Sequence, residues 1–220
     1  MFSILFGCAS SKKEDKAFKV FNEGVSLSLD AAEQGDVGNF EKAEALNLKA
    51  IEKFNETIII DPNHSGAASA LGHSHYMIKE FREGINWFEK ALQLDSASFA
   101  AHLEYGLCKI NLGDIQGGKA SIDKAISMDS SKKLKNIAVY RLLDIGTLAF
   151  EYGNGYSEEG DPEKGSDYKR FAVNVLFTAH QIDSSHQEVI KNIMVLSEEL
   201  GETELTESFK KKLRKAAHNN

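Results

Sequence analysis

Two consecutive segments of this 220-residue chain repeat each other at a spacing of 34 residues. Ser65–Ser98 aligns with Phe99–Lys132 without a gap, and seven positions are identical. The identical pairs are Ala67/Ala101, Gly72/Gly106, Gly84/Gly118, Lys90/Lys124, Ala91/Ala125, Asp95/Asp129 and Ser96/Ser130. Repetition at such a period is typical of solenoids, because one unit cannot bury its apolar face alone and stacked units share a continuous core.

The apolar residues of both segments recur at helical spacing, so each segment is predicted to form two helices. These four helices are predicted at about 65–78, 81–94, 98–112 and 115–128. Gly113-Asp114 supplies one of the turns, since glycine accepts the backbone conformation past a helix end and aspartate caps the next helix. Each repeat is therefore predicted to be a helix–turn–helix unit.

The pattern inside the repeat resembles that of the tetratricopeptide repeat (TPR). The family's slots for Leu-Gly, aromatic, Ala, aromatic, Ala and Pro are held here by Leu71-Gly72, His75, Gly84, Phe88, Ala91 and Ser96. Earlier in the chain, Gly38–Ala43 matches the family's turn between helices, and Asp61-Pro62 matches its terminal Asp-Pro. The resemblance implies an all-α, right-handed superhelical TPR-like solenoid of about five antiparallel helix pairs, which binds other proteins in its concave groove.

The first and fourth helix pairs are predicted to be longer than the others. Ala43 and Pro62 are nineteen residues apart, whereas the corresponding Gly84 and Ser96 are twelve apart. The seven extra residues make about two helical turns, or ~10 Å. The same nineteen-residue distance recurs over 165–184.

The rest of the fourth pair and a final pair complete the predicted domain. A long helix is predicted over about 132–152. Its glycines are offset by several residues from the corresponding glycines in the first helix of the first pair. This helix is followed by an irregular loop over 153–162, where Asp161-Pro162 starts the next helix. A last pair, about 187–200 and 203–216, is expected to cap the stack. Residues 15–220 are thus predicted to form one helical repeat domain.

Composition argues against several classes of function. The net charge of −7 disfavours a nucleic-acid partner, because phosphate binding needs a basic surface. Cys8 and Cys108 have no cysteine nearby, so neither a disulfide framework nor a CxxC metal site is expected, and Cys108 is predicted to be a small buried hydrophobe. His73 and His75 are two apart on a helix and cannot share a metal ion. No catalytic, cofactor-binding or metal-binding residue is predicted, and the chain is not expected to be an enzyme.

Residues 1–14 resemble the end of a bacterial lipoprotein signal. Leu5-Phe6-Gly7-Cys8 closes an apolar start and precedes a polar run, in the way that a small residue precedes a cleaved and acylated cysteine. The resemblance implies lipidation of Cys8, a short tether and a place in the bacterial cell envelope. A secretory signal also has a basic n-region and seven to fifteen apolar residues, and here the first is missing and the second is minimal. Either the true start lies upstream, or this segment is a frayed hydrophobic N-terminus, and the alternative location is the cytoplasm.

The TPR resemblance also implies which residues face the groove, since the first helix of each pair lines it in that family. The implied groove residues are Ser69, His73, Tyr76, Met77, Leu103, Leu107, Ile110, Asn111 and Arg141. Chaperone-binding members place Lys, Asn and Arg at such slots, and Ser69, His73 and Leu103 do not match them. The expected ligand is therefore a protein or peptide segment with an apolar face.

Three alternatives to a scaffold with an open groove remain at this point. The long flanking helices could cover some of the implied groove residues. The chain could be a self-assembling structural protein, with a second copy as its partner. It could also be a cytoplasmic adaptor or an enzyme accessory subunit.

Overall fold

The computed structural model describes the backbone of residues 3–218 and the side chains of residues 12–214. Within this part the chain forms ten α-helices and no strand. The helices are α1 (Ser3–Asp36), α2 (Phe40–Ile60), α3 (Ser65–Met77), α4 (Phe81–Leu94), α5 (Phe99–Asn111), α6 (Ile115–Met128), α7 (Lys132–Glu158), α8 (Pro162–Ile182), α9 (Gln187–Glu199) and α10 (Thr203–His218). The all-α class predicted from the repeat is confirmed.

The chain divides into two compact units, Met1–Leu112 with α1–α5 and Gly113–Asn220 with α6–α10. In the first unit α1 packs on α2 and α3 on α4, while α2 contacts α3 and α4 contacts α5. In the second unit α7 packs on α8 and α9 on α10, while α8 contacts α9 and α6 contacts both α7 and α8. The single domain predicted over 15–220 stays a prediction, and α1 is one continuous helix from Ser3 to Asp36.

Local sequence chemistry ends and starts the helices as predicted. Gly113 adopts a left-handed backbone conformation with φ of 91°, and Asp114 caps α6 by accepting a hydrogen bond of 2.9 Å from the Gly117 N–H. Asp161 likewise caps α8 by accepting from the Lys164 N–H, and Pro162 follows in the first turn. These caps satisfy N–H groups that have no partner inside the helix.

The helices of the first and fourth pairs are longer, as predicted. The second helices α2 and α8 each have 21 residues, whereas α4 and α6 have 14. The first helices α1 and α7 have 34 and 27 residues, whereas α3 and α5 have 13. At 1.5 Å per residue, the extra seven residues of each second helix add ~10 Å.

A close contact between a glycine and a large side chain recurs inside the pairs. A Cβ atom at Gly72 of α3 would lie 2.7 Å from the Phe88 ring of α4, so only glycine lets this ring pack there. Gly24 of α1 makes the same contact with Phe54 of α2, where a Cβ would lie 2.6 Å from the ring. Gly72 and Phe88 are 16 residues apart and Gly24 and Phe54 are 30 apart. In the longer pair, each helix therefore has seven extra residues between this glycine-to-ring contact and the turn that joins the two helices.

Two expectations about the fourth pair are corrected. Gly146 contacts Leu176, 30 residues later, so the glycine register of the fourth pair equals that of the first. The loop predicted from residue 153 is helical through Glu158, because Gly153 is a packing residue and not a helix breaker. A Cβ at Gly153 would lie 2.8 Å from the carbonyl oxygen of Gly165 on α8. The chain turns only at Gly160, where φ is 93°.

Candidate protein-binding groove

An open groove of about 500 Å³ lies on the first unit. Its walls come mainly from α1, α3 and α5, which lie side by side because each is the first helix of its repeat. The lining from these helices comprises Val25, Ser28, Leu29 and Ala32 of α1, Ser65, Gly66, Ser69, Ala70 and His73 of α3, and Ala100 and Glu104 of α5. We call this surface the α1–α3–α5 groove.

The α1 wall of the groove is apolar. Val25, Leu29 and Ala32 share one face of the helix, and Phe18 continues that face about two turns before Val25. Leu29 is 67% exposed and Phe18 is 66% exposed. Burying a fully exposed leucine side chain against a partner is favourable by about 1.5–3 kcal/mol. This wall can therefore contribute to binding an apolar segment.

A hydrogen-bonded pair crosses from α3 to α5 in the groove. The Nδ1 atom of His73 lies 2.9 Å and 3.0 Å from the two carboxylate oxygens of Glu104. An ionised carboxylate only accepts hydrogen bonds, so the proton of this contact is on the imidazole. Both side chains remain partly exposed to the groove. On the α1 side, the Ser28 hydroxyl oxygen is buried with no hydrogen-bond partner.

The structure brings some of the implied groove residues into this surface. Ser69 and His73 line it. Tyr76 packs instead against the Phe81 ring of α4, with ring centroids 5.8 Å apart, and Met77 is exposed beyond the lining residues. Of the implied residues on α3, Ser69 and His73 thus line the groove, whereas Tyr76 and Met77 do not.

The implied residues on α5 do not line the groove. Leu103, Leu107 and Ile110 are buried, at 5%, 1% and 0% exposure, so they belong to the core. The Asn111 side-chain amide donates to the Leu107 carbonyl oxygen at 2.9 Å. The groove-facing residues of α5 are instead Ala100 and Glu104, about 60° and 100° further round the helix than Leu103. These three apolar residues are buried side chains of α5, and whether the long flanking helices cover other implied groove residues stays a prediction.

Arg141 is exposed on α7 in the second unit. That unit has its own smaller cavity of about 260 Å³ between α7, α8 and α9, and Arg141 does not line it. The cavity's lining includes Thr147, Phe150, Asn192 and Val195. The role of Arg141 in binding stays a prediction.

The groove residues that the sequence missed lie mainly on α1. Val25, Leu29 and Ala32 follow the apolar helical spacing of that segment, which by itself indicates a core face. Their signal was the excess of apolar positions around α1. Ala17 and Ala31 are buried on another face, and Val25 packs at its edge against the core cluster, whereas Leu29 stays exposed. Glu104 gave no signal, since a charged residue on a helix is usually solvated.

The described residues hold no group of three or more His, Cys, Asp or Glu side chains arranged to bind a metal ion. Cys108 is fully buried, as predicted, and burial, followed by the charge of Glu104, raises the pKa of its thiol to about 12. The side chain of Cys8 lies outside the described residues. Among the helices searched, none has the length and apolar character needed to cross a membrane.

The comparisons with known proteins concern the fold. No protein-family model matches the chain, and neither does any curated protein sequence. Among solved structures, MamA 41-end from Desulfovibrio magneticus RS-1 is 10% identical with a TM-score of 0.51, covering 90% of this chain and 94% of its own. A crystal structure of MamA is 17% identical with a TM-score of 0.47, covering 86% and 95%. YrrB, described as a TPR protein with an unusual peptide-binding site, is 16% identical with a TM-score of 0.44, covering 91% and 90%.

The fold of the chain is that of a TPR-like helical solenoid. Ten described helices, the 34-residue period and the glycine-to-large-residue contact within the pairs all agree with this class. At these low identities the similarity to solved structures shows the fold alone.

Proposed function

We propose that this protein is a non-catalytic scaffold that binds other proteins in the α1–α3–α5 groove. The observation that carries the proposal is the groove itself, which is open, about 500 Å³ in volume and apolar along α1. Exposed apolar side chains in a concave surface lose contact with water when a partner covers them, which favours association. The ligand is a protein or peptide segment, helical or extended, with an apolar face.

Site-specific photo-crosslinking tests this function. A photoreactive phenylalanine at Leu29 in the groove is compared with one at Glu52, an exposed residue of α2 outside the lining. We expect a discrete cross-linked partner from position 29 and none from position 52. With that partner purified, Leu29→Ala is expected to weaken binding more than about tenfold, or ~1.4 kcal/mol. Equal cross-linking from both positions, or unchanged affinity, would contradict the proposal.

We further propose that Cys8 is acylated and holds the scaffold in a bacterial envelope, where it serves an assembly or secretion complex. The support is the sequence Leu5-Phe6-Gly7-Cys8 followed by a polar run. The intact mass of the native protein and its cell fraction test this. A membrane-bound chain beginning at a lipidated Cys8 supports it, whereas a chain that retains Met1 without lipid favours a cytoplasmic adaptor.

A second candidate function is self-assembly, so that the partner is another copy of the chain. The observation that favours it is the set of strongly exposed apolar side chains on α1 and α2, including Phe18, Phe40 and Ile59. Sedimentation velocity across a hundredfold concentration range separates the candidates. A constant monomer would exclude self-assembly, and a concentration-dependent shift that Leu29→Ala removes would place a second copy in the groove.

A further inference from the structure

The α1–α3–α5 groove has an unbalanced charge. Among the residues that the structure describes, its ionisable lining residues are His73, Asp95 and Glu104, and no lysine or arginine lines it. Two carboxylates therefore face a partner in this lining, together with one imidazole and without a lysine or arginine. Because charges in a concave, partly desolvated surface interact more strongly than on an open one, this imbalance bears on which partner binds.

Both carboxylates keep capacity for a ligand. Glu104 contacts the His73 Nδ1 atom with both oxygens, but an ionised carboxylate offers about four lone-pair sites. Asp95 accepts one hydrogen bond of 3.0 Å at Oδ1 from the Ala97 N–H, and Asp95 is exposed. A cationic side chain can therefore be bound without breaking either contact.

The two walls of the groove have different chemistry. The α1 wall presents Val25, Leu29 and Ala32, whereas the far side presents Glu104 from α5 and Asp95 from the turn before it. A segment lying between these walls meets apolar surface on one side and negative charge on the other. An amphipathic helix or strand with apolar and basic faces has the matching arrangement.

We propose that the groove selects a peptide segment that places apolar side chains on α1 and a lysine or arginine on Glu104 and Asp95. The inference rests on the proposed protein-binding function and adds the chemistry of the partner. A basic side chain gains charge-assisted hydrogen bonds there. A glutamate at the same place meets two like charges, which discriminates against acidic segments.

Three matched fluorescent peptides test this selectivity. Each is an 18-residue amphipathic helix with leucine and alanine on one face, and the polar face carries lysine, glutamine or glutamate. Fluorescence anisotropy with the full chain is expected to give at least about tenfold tighter binding of the lysine peptide than of the glutamine peptide, and no binding of the glutamate peptide.

Local variants separate recognition in the groove from attraction by the net charge of the chain. Glu104→Gln keeps an acceptor for His73, and Asp95→Asn keeps the Oδ1 acceptor for Ala97. Each is expected to weaken the lysine peptide about three- to tenfold at low salt. Glu52→Gln removes the same charge from the exposed face of α2 and is expected to change binding less than twofold.

The outcomes distinguish this inference from the function on which it rests. If the lysine and glutamine peptides bind equally and Leu29→Ala weakens both, the inference is overturned and the protein-binding groove stands. If the lysine peptide binds but neither Glu104→Gln nor Leu29→Ala affects it, the peptide binds elsewhere and the inference fails. Binding of none of the peptides also overturns it, and the cross-linking from position 29 then decides the function separately.

Discussion

At the scale of single residues, Lys79 stands out in the turn between α3 and α4. Its φ is 63°, in the left-handed region that disfavours residues with a Cβ atom. The other described residues with positive φ are all glycines, namely Gly38, Gly113, Gly160 and Gly201, and each closes a helix. Lysine therefore occupies a position whose geometry favours glycine.

We expect Lys79→Gly to stabilise the protein by about 0.5 kcal/mol. The left-handed conformation costs a lysine roughly 1–2 kcal/mol, and the added freedom of glycine in the unfolded chain offsets about 0.5–1 kcal/mol. Urea unfolding measures the change. Gly113→Ala is the matched control, because no atom lies near its Cβ and only backbone strain remains. It is expected to destabilise by about 1 kcal/mol, and destabilisation by both variants would contradict the argument.

Cys108 should be chemically inert in the folded protein. The thiolate is the reactive species, and a pKa of about 12 leaves almost none of it at pH 8. We expect iodoacetamide at pH 8 to leave Cys108 unmodified in the native chain and to modify it fully in denaturant, as read by peptide mass spectrometry. Rapid native labelling at Cys108 would show that the core around it opens readily.

At the scale of helices, packing between the members of a pair depends on the absence of one methyl group. The Phe88 ring lies where a Cβ of Gly72 would be, and a rigid aromatic ring cannot yield without displacing its neighbours. A glycine in the middle of a helix is otherwise unfavourable by about 1 kcal/mol relative to alanine. Its presence here is explained by the close approach of α3 and α4.

Two alanine substitutions with opposite expected effects test this explanation. Gly72→Ala is expected to destabilise by about 1–3 kcal/mol, because the methyl group overlaps the Phe88 ring. Gly35→Ala, in α1 where nothing lies within 4 Å of a Cβ, is expected to stabilise by up to about 1 kcal/mol. Thermal unfolding of both variants gives the comparison. Similar stabilisation by both would mean that α3 and α4 separate easily.

What the sequence could predict at this scale depended on whether a signal is local. The lengths of the second helices followed from counting residues between matching positions of the repeat, so the two-turn extensions of α2 and α8 were predicted correctly. The role of Gly153 was not predictable, because a glycine reads as a breaker until the neighbouring Gly165 backbone is known to lie against it. Likewise, Leu103 lies in the core and its neighbour Glu104 lies in the groove. The apolar periodicity of α5 alone did not show which of these two residues faces the groove.

At the scale of the whole molecule, the 34-residue period did not reveal the two compact units. The aligned repeats run from 65 to 132 and pass the division after Leu112 without a change in pattern. A repeat signal reports that successive segments have similar structure, and it carries no information on where the chain divides into compact units. The pH dependence of stability is a second property of the whole chain, and a buried histidine in the second unit contributes to it.

His180 links α8 to α10. Its Nε2 atom accepts a hydrogen bond of 2.7 Å from the Lys212 ammonium group, its Nδ1 atom is buried without a partner, and its ring packs edge-on to Phe209. Burial first, and then the charge of Lys212, lower the pKa of His180, while Asp183 opposes them. The folded chain therefore holds this imidazole neutral, since a protonated ring could not accept from Lys212.

The sign of the pH dependence follows from this lowered pKa. The unfolded chain takes up a proton at His180 near pH 6.5, before the folded chain does, so stability is full above that pH and declines as the pH falls below it. We expect a lower unfolding temperature at pH 5.5 than at pH 7.5. His180→Gln keeps an acceptor for Lys212 without a titrating group, so it should flatten this decline. An unchanged decline in His180→Gln would mean that other groups govern the loss of stability in acid, because the pKa of His180 would then be the same in the folded and the unfolded chain.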